Sequence, residues 1–133
     1  MSASQMKATL DALSKALDRL EEALRQPLEN PLAVDATIQR FEFTIELFWK
    51  ALKRCLQFEG IDTSTPRGAL QQAYQAGWLQ DESTWLQMLR DRNQTSHTYD
   101  EAQAREIYER IRTNQPALRA AYEFLRQRFV PEA

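Results

Sequence analysis

Cysteine and histidine are almost absent from this chain: its 133 residues hold one of each, Cys55 and His97. A lone cysteine excludes an intrachain disulfide, and one Cys with one His excludes a Cys/His zinc site. Glycine is scarce as well, with three residues, which argues against an architecture of strands and tight turns. No long apolar run occurs and the mean hydropathy is −0.61, so no membrane span is expected. The first fifteen residues lack the apolar centre of a secretory signal, which points to the cytoplasm. Positive charge is not in excess either, since 17 Lys and Arg stand against 19 Asp and Glu, a net charge of −2. That excludes a generic electrostatic grip on nucleic acid but leaves room for a local basic pocket. The length suits one domain, residues 1–133, which on folding buries about two-thirds of its unfolded surface.

What the chain does have is helical periodicity. Met6, Leu10, Leu13, Leu17, Leu20 and Leu24 recur in steps of four and three, so they share one helix face. Pro27 ends that helix, and residues 27–31 form a short connection. A second helix is expected over residues 32–59, with Val34, Ile38, Phe41, Ile45, Phe48, Leu52 and Cys55 as its stripe. Phe43, Leu47 and Ala51 give it a second apolar face, so it should be contacted on two sides. Gly60 follows where a left-handed residue closes a helix.

Thr65-Pro66 reads as an N-cap followed by proline at the first helical position, opening a short helix that Gly77 closes. Asp81-Glu82 opens the next, which carries Trp85, Leu86, Met88 and Leu89 before turning polar. The last helix spans residues 100–129, striped by Ala104, Ile107, Ile111, Leu118, Tyr122, Leu125 and Phe129, with a kink or brief break expected at Pro116. The fold class is therefore all-α, an up-and-down antiparallel bundle of long helices plus one or two short ones.

The informative polar cluster is the run Asp91-Arg92-Asn93-Gln94-Thr95-Ser96-His97-Thr98-Tyr99-Asp100. Polar residues at a helix end commonly serve as solvated caps. This run, however, sets the chain's one imidazole beside a guanidinium and a phenol. Five residues separate Arg92 from His97, a rotation of about 140° on a regular helix, so the two converge only if the helix ends or distorts between them. Arg92 can hold a phosphate through two parallel hydrogen bonds, and His97 can move a proton near neutral pH. Those two groups suffice for metal-free RNA cleavage in which the 2′-hydroxyl attacks its own phosphodiester. One histidine supplies half of an acid–base pair, and a two-fold dimer would supply the other half.

Read as Arg-x4-His-x-Tyr, Arg92 to Tyr99 resembles the signature of HEPN domains that pair with minimal nucleotidyltransferases (MNT). The blocks Phe41-Glu42-Phe43-Thr44-Ile45-Glu46-Leu47-Phe48-Trp49-Lys50 and Thr65-Pro66-Arg67 agree, and the whole resembles the nucleotidyltransferase substrate-binding protein family. The resemblance implies a HEPN-like helical bundle that homodimerises and binds a small separate nucleotidyltransferase. In one view of the family, the helical subunit helps that transferase bind its substrate. In the toxin–antitoxin view, the dimer is a metal-independent ribonuclease with Arg92 and His97 as its catalytic pair. The partner, using magnesium and ATP, then silences it by moving AMP to Tyr99. Asn93 is the polar neighbour of the motif arginine, and Asp91 is expected to orient Arg92. An AMP group two residues from His97 would put bulk and negative charge where an RNA phosphate must sit.

The chain itself calls for no cofactor. It cannot be the transferase, because it has neither the Gly-Ser turn nor the Asp-x-Asp pair that hold magnesium in such enzymes. Glu42 and Glu46 share a helix face, but helical di-iron sites also need Glu-x-x-His pairs, which a single histidine cannot provide. Glu42, Glu46 and Trp49 are therefore expected to border a cleft or an interface, with no metal. Lys50, Lys53 and Arg54 form a small basic patch, read as a solvated helix face that RNA or an acidic partner could touch. Trp49, Trp78 and Trp85 are expected to anchor the core or an interface, and Cys55 to be inert packing.

Overall fold

The computed structural model describes residues 3–94 and 100–131. Five helices account for most of them: α1 (Ala3–Leu24), α2 (Ala33–Phe58), α3 (Pro66–Gln75), α4 (Glu82–Gln94) and α5 (Glu101–Phe129), with no strand among the described residues. The directions follow from side chains that bridge the helices. On α1 and α2, Arg19 meets Arg40, Ala16 meets Thr44, Thr9 meets Arg54 and Met6 meets Cys55, so the two run antiparallel. The pairs Asp11–Arg126, Asp18–Arg119 and Leu24–Arg112 set α5 antiparallel to α1 as well. Asp91–Arg110 and Gln94–Gln103 make α4 and α5 a third antiparallel pair.

Helix α2 is central, in contact with all four other helices. Its expected stripe is buried from Phe41 through Cys55, and the α1 stripe is buried from Met6 through Leu20. Ala51 is buried too, but Phe43, on the second apolar face, is 60% exposed, so that face is only partly covered. Trp78 and Trp85 lie in the core, Trp85 tilted against Phe48 with ring centroids 4.9 Å apart. Cys55 is fully buried beside the Met6 sulfur, and burial pushes its thiol up to about 12, far from reactive.

The local signals were obeyed. The Thr65 hydroxyl accepts from the Gly68 amide at 3.0 Å, and Asp100 caps α5 by accepting from the Ala102 and Gln103 amides. Thr65→Ala should accordingly cost about 1 kcal/mol in urea unfolding, and Thr65→Ser much less. At Pro116 the brief break does not occur, because α5 runs through it as one helix. The proline ring is exposed, while Ile111, Leu118 and Ala121 are buried on either side. Gln115 and Arg119 also tie the same stretch to Glu21 of α1. Packing on both sides of the proline outweighs a missing hydrogen bond that costs about 3 kcal/mol.

Candidate functional site

The last turn of α4 carries the described part of the motif. Successive residues of a helix point about 100° apart, and Asp91 and Arg92 use that angle to reach two different helices. Asp91, 1% exposed, faces α5, where it accepts a double hydrogen bond from Arg110, with Nη2 at 2.7 Å and Nε at 3.0 Å. The Gln87 amide, one turn back on α4, donates to the same carboxylate at 3.0 Å. Arg110 is held above its ordinary value by its hydrogen bonds to Asp91, against the opposing effect of burial.

Arg92 turns the other way, to α2. Its Nη2 donates to Glu46 Oε2 in a close ion pair, and its Nη1 donates to Asn93 Oδ1 at 3.0 Å. Lys50, one turn along α2, stands 3.4 Å from the other Glu46 oxygen. About 30% of both the Arg92 and Glu46 side chains is open to solvent, so a ligand can reach the pair. Burial pushes the Glu46 carboxyl up, but the Trp49 indole N–H, the Arg92 guanidinium and the Lys50 ammonium together hold it below its ordinary 4.5. Trp49 acts from outside regular hydrogen-bond geometry. A depressed carboxyl contributes above its unfolded value and loses that contribution only as pH falls through the lower folded one. Glu46 therefore stays ionised throughout the neutral range, between the Arg92 guanidinium and the Lys50 ammonium.

The structure thus reassigns the carboxylates. Asp91, expected to orient Arg92, is turned away from it and satisfied by Arg110 and Gln87. Glu46 holds Arg92 instead, while Glu42, one turn earlier on α2, is part-exposed and does not receive it. Arg110 escaped the sequence reading. The signal that could have found it is Asp91 on the inward face of α4, since a buried carboxylate requires a cation. His97 and Tyr99 lie outside the described residues. Their flanks are held close together, with Gln103 Nε2 donating to Gln94 Oε1 at 3.5 Å. Among the described residues, no three of His, Cys, Asp and Glu gather closely enough to hold a metal ion. Nor is any helix among them long and apolar enough to cross a membrane.

Residues 8–127 match the family model described as nucleotidyltransferase substrate binding protein like. A Haemophilus influenzae protein named "Probable ribonuclease HepT" is 37% identical over 83 residues, 59% of this chain and 57% of that protein's length. Two solved structures share the fold. A Thermus thermophilus protein superposes with a TM-score of 0.79 at 38% identity, covering 86% of this chain and 98% of its own. A Haemophilus influenzae protein, described as revealing the fold of a substrate binding domain of a nucleotidyltransferase, gives 0.68 at 29% identity, over 95% and 100%.

Proposed function

Because the chain belongs to the nucleotidyltransferase substrate binding protein like family, we propose that it is the HEPN subunit of a two-protein module, a metal-independent ribonuclease controlled by a separate nucleotidyltransferase. The observation that carries the reading is the fixed, solvent-reachable guanidinium of Arg92, set by Glu46 and Asn93 at the end of α4, five residues before the only histidine. The ribonuclease name of the Haemophilus relative agrees with it.

In this reading Arg92 binds the scissile phosphate and stabilises the charge that grows on its oxygens. His97 takes the proton from the 2′-hydroxyl as that oxygen attacks phosphorus. A second His97, from the other copy of a homodimer, gives a proton to the departing 5′-oxygen. The products are a 2′,3′-cyclic phosphate and a free 5′-hydroxyl, and no metal takes part. The partner transferase turns the activity off when the Tyr99 phenol attacks the α-phosphate of ATP and pyrophosphate leaves. The attached AMP then occupies the phosphate's place with bulk and negative charge.

Expression of the chain alone should arrest growth, and His97→Ala should relieve the arrest. The purified protein should cut RNA in EDTA and leave cyclic phosphate ends. Tyr99→Phe should keep the nuclease active in the presence of the transferase. The description of the Haemophilus structure favours one rival, a non-catalytic subunit that completes the transferase's substrate site. Intact RNA and unimpaired growth, with nucleotide binding seen only in the complex, would decide for that rival.

A further inference from the structure

Beside the Arg92–Glu46 pair, α1 and α2 leave an open face. A groove of about 320 Å³ runs between them, bordered by Ala8, Thr9 and Ala12 of α1 and by Leu47, Lys50 and Arg54 of α2. At its edge stands Phe43, 60% exposed, one turn from Leu47 and two from Lys50 along the same strip of α2. The groove joins the candidate site directly, because Lys50 borders it and touches Glu46, the residue that holds Arg92.

Charge is segregated around α1. Its acids Asp11, Asp18 and Glu21 face α5 and are taken up by Arg126 and Arg119. The opposite flank carries Lys15 and Arg19, which continue the strip of Ala8 and Ala12 with steps of three and four, and they are exposed. Of the acids on that side, Glu22 pairs with Arg40 and Glu46 with Arg92 and Lys50, while Glu42, beside Phe43, stays part-exposed and outside any ion pair among the described residues. A chain of net charge −2 thus gathers four exposed cations, Lys15, Arg19, Lys50 and Arg54, around an exposed aromatic ring on this face. A second copy docked here about a two-fold axis would bring those cations against their own equivalents, at a cost from like-charge repulsion. An anionic partner with flat apolar groups suits the face, and single-stranded nucleic acid has both.

We propose that the α1/α2 groove is the track along which a single RNA strand leaves the Arg92 site, with Phe43 stacking on a base and Lys50 and Arg54 contacting backbone phosphates. The proposal rests on the ribonuclease reading and adds to it where the strand lies and what length of strand is held.

The test is fluorescence anisotropy with a fluorescein-labelled 2′-O-methyl RNA strand of about twelve nucleotides, a length within the span of single-strand grooves. Such a strand lacks the attacking hydroxyl and stays intact. Phe43→Ala should weaken binding at least about fivefold and Phe43→Trp should preserve it. The double variant K50Q/R54Q should flatten the slope of log affinity against log salt by about 1.4, two contacts at about 0.7 each. Lys7→Gln, on the α5 side of α1, should bind as the parent does. All variants are at exposed positions, and light scattering should report one unchanged assembly mass. Wild-type affinity and slope in both F43A and K50Q/R54Q, while the parent still cuts RNA, would overturn the track alone. A change of mass in F43A would make the face a contact between copies and overturn it too. A parent that neither binds the strand nor cuts RNA would overturn the ribonuclease reading together with the track.

Discussion

Arg110→Met should lower the free energy of unfolding by about 3 kcal/mol, because it strands a carboxylate in the protein interior. Asp91 is 1% exposed and takes three hydrogen bonds from Arg110, counting both contacts of Nε. Without them only the Gln87 amide remains to hold a buried negative charge. Such losses range over about 3–5 kcal/mol, and the low end applies because the Arg110 side chain is 36% exposed, so water can enter where the guanidinium was. Adding Asp91→Asn to Arg110→Met should recover more than half of the loss, since the charge is gone and the new amide oxygen can still accept from Gln87. Urea unfolding of the parent, both single variants and the double variant measures the coupling directly. If the two single losses simply add in the double variant, the ion pair does not hold α4 to α5. The expected loss bears on function, because Asp91 and Arg92 are neighbours. The contact that pins Asp91 to α5 also fixes the rotation of α4 that aims Arg92 at α2.

Much of this arrangement was legible before any coordinates, and the reason is that its signals are local. Helix periodicity, the Thr65-Pro66 start and the glycines that end α2 and α3 act within a few residues of chain. They placed α2, α3 and α5 to within a residue, and found α1 and α4 by their stripes and by one end of each. What could not be read depends on how one helix is rotated against another. Glu46 lies 46 residues from Arg92, and only the packing of α4 on α2 shows that it, and not Asp91, receives the guanidinium. Phe43 makes the same point in reverse. Its spacing with Leu47 and Ala51 is that of a buried face, yet α1 covers Ala51 and leaves Phe43 open. Pro116 shows tertiary packing overriding a local rule, since ion pairs and apolar contacts from α1 hold α5 continuous through it.

Arg92→Lys should lower the rate of RNA cleavage by at least about 100-fold while changing unfolding stability by no more than about 1 kcal/mol. The asymmetry comes from geometry. The guanidinium of Arg92 spreads its donors over a planar fork, with Nη2 on Glu46 and Nη1 on Asn93, so its orientation is set before a phosphate arrives. A lysine ammonium keeps the charge and can stay paired with Glu46, which preserves the fold. It cannot hold Glu46 and Asn93 and still present two parallel donors to a phosphate. Glu46→Gln separates the two roles of the carboxylate. Glutamine keeps an oxygen for the Arg92 donor but loses the charge, so orientation partly survives and the rate should fall by only about tenfold. Glu46→Ala should approach the loss of Arg92→Lys. Single-turnover cleavage of a labelled RNA at saturating protein reads the chemical step apart from binding. A lysine variant within about threefold of the parent would mean that residue 92 serves only as a point charge, and that the ties to Glu46 and Asn93 serve the fold alone.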